Sequence, residues 1–341
     1  MTNTPSPIAV SHGQSHAREA LRTDPELAGV LQGLRGKPPR LSPRWFYDAL
    51  GSALFEAITR LDGYYLTGCE LEILEGPARE LGASLAEGLA VVELGSGSAD
   101  KIARLLPGLR APRAFHPVDV SRAALRVTER QLRAAFPDLP VEGLQADFGA
   151  RARMQPLLRS LAEQGPLLLF FPGSTVGNLE RDQAVALLHD LATAVPAGTP
   201  LLLGVDLVKP WSLLEDAYDD PAGVTAAFNR NALCHLNARF GSDFQPRRFR
   251  HEARWNEGHQ RVEMWLCSDG EQTVKFGDAR LHFREGVDIH TESSHKYDRR
   301  RVQQLAARAG WHLTAWITDT RGYFAEALLL RTADTDHASG F

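Results

Sequence analysis

Residues Val91 to Ser98 read V-V-E-L-G-S-G-S, a β-branched run, an acid, and two glycines one residue apart. The spacing predicts a buried strand that turns sharply into a helix. Gly95 and Gly97 adopt backbone conformations closed to other residues, and without a Cβ they let backbone N–H groups approach a ligand. A dinucleotide fingerprint needs a third glycine three residues after the second, and Asp100 stands there instead. Glu93, just ahead of the turn, favours a cationic ligand over a pyrophosphate.

Two further segments extend this reading, because open α/β sheets bind ligands at the C-terminal ends of their strands. Asp119 closes the stretch A-F-H-P-V-D and can accept hydrogen bonds from both hydroxyls of a ribose. Asp147 and Phe148 close G-L-Q-A-D-F, where the acid can accept from an adenine amino group and the ring can pack beside the base. Any one of these acids alone reads better as a turn or cap residue. As an ordered set after three strands they point to an adenosine, and with Glu93 they make S-adenosylmethionine, with its sulfonium and ammonium, the leading cofactor. A nicotinamide dinucleotide ranks lower because of Asp100.

Composition sets the bounds. The 341 residues carry a formal net charge of -4 and no basic block, which argues against nucleic acid as a partner. Arg299 to Arg301 reads as a solvated helix face. Cys69, Cys234 and Cys267 are too few and too scattered for a disulfide framework and fit a reducing compartment. No apolar run reaches membrane-spanning length and no cationic, apolar leader opens the chain, so a cytoplasmic protein that engages no membrane is expected. His282, His290 and His295 lack a metal-ligand spacing, and no nucleophile elbow is present.

Periodicity gives the organisation. Residues 1 to 16 are polar and read as a mobile tail. Leu71, Leu74, Ala78, Leu81 and Leu85 follow helical spacing interrupted by Gly76 and Pro77. Ser121 is placed to cap a helix with Ala124, Leu125, Thr128, Leu132 and Phe136 facing inward. Leu167 to Phe171 and Leu201 to Val205 are continuous apolar runs typical of parallel strands buried on both faces, with a helix from Asp182 to Ala194 between them. Past Lys209-Pro210 a helix from about Gly223 to Phe240 precedes alternating segments. Phe249 to Trp255 and Arg261 to Cys267 flank a hairpin turn, and Thr273 to Phe276 and Ala279 to Phe283 form a second pair. A helix at Arg300 to Arg308 and strands at Trp311 to Thr318 and Phe324 to Leu330 complete the first sheet. The expectation is an α/β doubly wound sheet of Rossmann-like type: 17 to 67 as the N-terminal part of a substrate domain, 68 to 209 as the core, 210 to 295 as an inserted α+β substrate-binding domain, 296 to 331 as completion of the core, and 332 to 341 as a tail.

Four stretches carry a family resemblance. W-F-Y-D-A-L-G-S-A-L-F-E-A-I-T-R-L-D-G-Y-Y-L-T at 45 to 67, F-F-P-G-S-T-V-G-N at 170 to 178, Y-D-D-P-A-G-V-T-A-A-F-N at 218 to 229 and T-E-S-S-H-K-Y at 291 to 297 resemble the L-histidine Nα-methyltransferases of ergothioneine biosynthesis. The resemblance implies a class I methyltransferase fold with an inserted domain, and trimethylation of the α-amino group of histidine to hercynine; a monomer is expected. It implies that Gly95, Lys101, Asp119, Asp147 and Phe148 contact S-adenosylmethionine. It further implies that Tyr47, Tyr64, Gly173, Asn178, Tyr218, Met264, Glu292 and Ser294 line the histidine pocket, with Tyr47 the candidate for positioning the amine.

The residue types suit that chemistry independently. Asn178 and Tyr218 are neutral donors for a carboxylate, Glu292 can accept an imidazole N–H, and Ser294 can serve the other ring nitrogen. Each also has a plainer reading: Tyr47 and Tyr64 as amphipathic residues with a buried ring and a wet hydroxyl, Asn178 as a turn residue or helix cap, Met264 as core between Val262 and Leu266, Glu292 as a solvated strand-end acid. An Nα-methyltransferase for another amino acid such as tryptophan, and a noncatalytic S-adenosylmethionine sensor, remain the alternatives.

Overall fold

The strand announced by Val91 to Leu94 lies inside a seven-stranded sheet. In this computed structural model, which describes residues 8–11, 24–276 and 279–333, Ala90–Leu94 runs parallel to Ala114–Asp119 on one side and to Leu167–Phe171 on the other. Val92 faces His116 and Leu169 in that register. The full order is Trp311–Thr318, Phe324–Arg331, Pro200–Asp206, Leu167–Phe171, Ala90–Leu94, Ala114–Asp119, Leu144–Gln145. The first two strands pair antiparallel with each other, and Phe324–Arg331 pairs antiparallel with Pro200–Asp206. The central strands are buried along their whole length, the burial expected of apolar runs covered by helices on both faces. Trp311, whose indole N–H donates to the Leu188 carbonyl at 2.8 Å, helps close the core on one side.

Local signals set the helices. Gly76 ends Tyr65–Glu75 and Pro77 opens Pro77–Ser84, so the interruption in the leucine pattern is a break between two helices. Ser121 accepts from the Ala124 N–H at 3.2 Å and caps Arg122–Ala135, with Leu125, Thr128 and Leu132 buried.

The chain divides into two compact units, one made of Leu66–Val208 with His295–Phe341 and the other of Met1–Tyr65 with Lys209–Ser294. The first contains the seven-stranded sheet. In the second, Phe249–Asn256 and Arg261–Ser268 form an antiparallel hairpin in register Asn256 to Arg261, and Asp288–His295 adds a third strand beside Arg261–Ser268. A second three-stranded sheet places Ala279–Phe283 between Gln272–Phe276 and Ile8–Ser11. Phe244 packs its ring against Phe249, Phe276 and Phe283 at centroid distances of 5.9, 5.5 and 5.8 Å, and this cluster supports both sheets.

Two expectations change here. Ile8–Ser11, assigned to the tail, is a sheet strand, paired from Ile8 opposite Phe283 to Ser11 opposite Arg280; its short I-A-V run supplied the edge that Ala279–Phe283 lacked. The remainder of residues 1 to 16, and 334 to 341 of the C-terminal tail, lie outside the described residues. The second unit also contains a helix, Trp211–Tyr218, and the strand Asp288–His295, neither of which shows clean periodicity in the sequence.

Candidate active site

At the end of Ala90–Leu94 the chain reverses through Gly95, which has φ +78°. That conformation suits glycine, and a Cβ there would lie 3.5 Å from the Phe148 ring. The backbone donors of this turn are already used. Gly95 and Ser96 N–H both donate to the Val118 carbonyl, at 2.9 and 3.1 Å, and Gly97 N–H donates to the Gly95 carbonyl at 3.0 Å. The expected approach of these N–H groups to a ligand is therefore corrected: what the turn offers is a surface bare of side chains. Gly97 has open space at its Cβ position and no positive φ.

Glu93 also departs from expectation. It is almost fully buried and accepts from the Ser96 hydroxyl at 2.8 Å. Burial pushes its pKa up to about 8, which favours the neutral acid over the anion that the sequence reading expects beside a cationic cofactor. Asp119, the last residue of Ala114–Asp119, takes up the position beside the turn; its Oδ1 accepts from Ser121 N–H at 2.7 Å, and burial raises its pKa. The next strand is tied in by Ala146 N–H donating to the Asp119 carbonyl at 3.1 Å, which sets Asp147 and Phe148 beside Asp119. Asp147 is exposed and closes an Asx turn onto Gly149 N–H at 2.9 Å. Phe148 stands edge-on to Phe171 at 5.4 Å, so the ring is held near Gly95. Gly95, Asp119, Asp147 and Phe148 thus come together at one edge of the sheet, an apolar ring and two acids around a glycine turn, which fits an adenosine.

Lys101 lies on the helix after the turn and ion-pairs with the buried Glu70 at 2.7 Å. Glu70 Oε1 accepts from Gly173 N–H at 2.6 Å. Gly173 has φ +75°, and a Cβ there would stand 2.9 Å from Lys101 Nζ. Ser174 follows in the left-handed region with φ 54°, its hydroxyl accepting from Asp206 N–H at 2.9 Å. Asp206 is itself paired with the fully buried Lys296 at 2.6 Å. Asn178 ends the short Thr175–Asn178 turn and is half-buried.

The remaining expected residues belong to the other unit. Tyr47 and Tyr64 flank Phe55, with ring centroids 5.8 and 6.3 Å away, and Tyr47 also meets Phe228 at 5.6 Å. The turn carrying Tyr47 is fixed by Asp48, whose Oδ1 accepts from Gly51 N–H at 2.7 Å and from Asn231 Nδ2 at 2.8 Å. Tyr218 and Ser294 share a buried hydrogen bond of 2.8 Å between hydroxyls. The Tyr218 carbonyl meets His251 Nε2 at 2.8 Å, whose Nδ1 meets Asn229 Nδ2 at 2.8 Å, so the tyrosine is held from behind. Met264 and Glu292 are buried on Arg261–Ser268 and Asp288–His295, which are neighbours, and Thr291 Oγ1 donates to the Met264 carbonyl at 3.0 Å. The solvated reading of Glu292 is thereby set aside: only 8 % of it is exposed.

A family model described as histidine-specific methyltransferase, SAM-dependent, matches residues 25–331. The chain belongs to this family. As a member of the histidine-specific methyltransferases it is an S-adenosylmethionine-dependent enzyme, and the expectation of that cofactor stands. It is 40% identical over 326 residues to a histidine N-alpha-methyltransferase of Mycobacterium tuberculosis, covering 94% of this chain and 98% of the relative. It is 28% identical over 289 residues to ergothioneine biosynthesis protein 1 of Neurospora crassa, covering 80% of this chain and 31% of the relative. A 4-dimethylallyltryptophan N-methyltransferase of Arthroderma benhamiae is 26% identical over 296 residues, covering 82% and 86%.

Sequence reasoning missed Glu70 and Glu326 in this methyltransferase. Both left a signal. Glu70 falls on the helical face of Leu66, Ile73 and Leu74, and Glu326 interrupts the otherwise apolar strand F-A-E-A-L-L-L. A charged residue on an apolar stripe requires a partner that only the tertiary structure identifies.

Proposed function

We propose that the enzyme transfers three methyl groups in succession to the α-amino nitrogen of L-histidine, giving Nα,Nα,Nα-trimethylhistidine (hercynine), the opening step of ergothioneine biosynthesis. The observation that carries this reading is the buried polar set of Tyr218, Ser294 and Glu292 with Met264 beside it. A hydroxyl pair and a carboxyl on the strand of Ser294 offer both donors and acceptors, and an imidazole supplies the complementary N–H and acceptor nitrogen. Glu292 accepts the ring N–H, and Ser294, anchored by Tyr218, addresses the other nitrogen. The relatives named for histidine and for ergothioneine support the same assignment.

S-adenosylmethionine supplies an electrophilic methyl on sulfur, which passes in line to a neutral amine as the S–C bond breaks and the N–C bond forms. The protein's task is positioning. Asp119 holds the ribose hydroxyls, Asp147 and Phe148 the adenine, and Gly95 and Lys101 complete that set. For the amino-acid backbone, one unit offers the neutral groups Tyr47 and Tyr64 and the other offers Gly173 and Asn178. A neutral surround does not trap a methylated ammonium intermediate, so each partly methylated amine can lose a proton and react again until no lone pair remains. The enzyme works as a monomer in the cytoplasm in this reading, which its three free cysteines support.

Mass spectrometry of an amino-acid panel incubated with the protein and S-adenosylmethionine tests the proposal. Conversion of histidine is expected. Preferential conversion of tryptophan would favour the reading suggested by the aromatic group around Phe55 and by the dimethylallyltryptophan relative. Binding of S-adenosylmethionine with no turnover of any amino acid would favour a sensor.

A further inference from the structure

Glu70 is buried on the Tyr65–Glu75 helix, and its two oxygens reach different parts of the unit. Oε1 accepts the Gly173 N–H at 2.6 Å, and Oε2 pairs with Lys101 Nζ at 2.7 Å. Gly204 makes the room. A Cβ on that central strand residue would lie 2.8 Å from Glu70 Oε1 and 3.2 Å from both Glu326 Oε1 and the Gly173 nitrogen. Glu326, cross-strand from Gly204, is fully buried beside Glu70, and neither of its oxygens has a regular hydrogen bond among the described residues.

We propose that Glu70 is a positioning residue that locks Lys101 of the cofactor set to the Gly173 turn of the substrate set, with Glu326 as its buried support. The proposal rests on the roles given to Lys101 and Gly173 above. The charge count around it is informative. Lys101 is the cation facing three buried carboxyl groups, Glu70, Glu93 and Glu326, with Asp119 acting on Glu93 from the next strand. Burial first, and then the Glu70 carboxylate, raise the pKa of Glu326 well above the usual carboxylate range, and burial does the same for Glu93. A proton on Glu326 lets its O–H donate to Glu70 and so hold it in place. Loss of that proton at alkaline pH sets two anions side by side and loosens the brace.

Calorimetric titration of S-adenosylhomocysteine into the full-length protein, alongside steady-state kinetics for histidine, tests this. Glu70→Gln keeps an acceptor for Gly173 but loses the ion pair, so its dissociation constant for S-adenosylhomocysteine should rise about tenfold or more. Glu70→Ala loses both contacts and should raise the histidine KM as well. Glu326→Gln cannot ionise, so the alkaline loss of S-adenosylhomocysteine affinity should move to higher pH. A role confined to folding would lower the melting temperature and leave these constants alone. Folded Glu70 variants with both constants within about twofold of wild type, or a Glu326→Gln pH profile identical to wild type, would overturn the proposal. If wild type binds S-adenosylhomocysteine but leaves histidine unmethylated, the histidine reading fails while the binding arm still tests Glu70. If histidine is methylated and the Glu70 variants behave as wild type, Glu70 fails and the reading stands.

Discussion

Asp119 combines two properties seldom found in a surface acid: a strand-end position fixed by Ser121 N–H, and enough burial to raise its pKa. Hydrogen bonds from ribose hydroxyls would satisfy it. Asp119→Ala should weaken S-adenosylmethionine binding by about 1.5–3 kcal/mol, ten- to a hundredfold, and an unchanged dissociation constant in a calorimetric titration would remove it from the site. Glu292→Ala should act differently, because it leaves an imidazole N–H buried without an acceptor while the cofactor set is untouched. Histidine turnover should fall by about tenfold or more, with the relative rate for tryptophan or phenylalanine rising in competition assays. Glu93 gives a pH prediction. Its folded pKa of about 8 exceeds the 4.5 of an ordinary glutamate, so between these limits the folded state binds the proton that the unfolded state releases. The stability associated with that proton is full below the unfolded value and is lost as pH rises through about 8. Glu93→Gln, which cannot ionise, should flatten this fall, and melting temperatures of the two proteins should diverge between pH 5 and 8 in the variant's favour; parallel curves would contradict the burial argument.

Elements differ in how far the sequence reveals them. Val91 to Leu94, Leu167 to Phe171 and Leu201 to Val205 are legible because strands buried on both faces need apolar residues throughout. Ser121 and Gly76-Pro77 mark helix ends by local chemistry alone. Ile8–Ser11 was not legible, since its strand character comes from pairing with residues more than 260 positions away in the chain. The proposed site divides along the same line. Asp119, Asp147 and Phe148, proposed for the cofactor, follow strand ends and can be found by counting, whereas the proposed roles of Glu70 and Glu326 rest on contacts around Gly173, Lys101 and Gly204 that no local pattern encodes. Helix Ala49–Ile58 supplies the element-scale test. A Cβ at Gly51 would overlap the Phe46 carbonyl oxygen and crowd Asn231 Nδ2, so the turn carrying Tyr47 depends on this glycine. Gly51→Ala should destabilise the protein by about 1–3 kcal/mol or more, read as a lowered urea midpoint, and should raise the histidine KM through displacement of Tyr47. A midpoint and KM equal to wild type would show that the helix accommodates the methyl group.

At the scale of the whole molecule, each unit brings a distinct chemical character. The seven-stranded unit presents a glycine turn, two acids and an aromatic ring at its strand ends, and the Met1–Tyr65 and Lys209–Ser294 unit presents buried hydroxyls and a carboxyl, and an aromatic cluster around Phe55. A sulfonium methyl donor and a polar-edged amino acid match these two characters. Membership of the histidine-specific methyltransferases fixes the reaction class, and the number and place of the methyl groups form the central claim. The direct measurement is time-resolved mass spectrometry of histidine with excess S-adenosylmethionine, with fragmentation to locate the label. Mono- and dimethyl species should rise and decay, and the reaction should end at three methyl groups, all on the α-nitrogen. A stable stop at one methyl group, or a methyl group on the imidazole, would contradict the account.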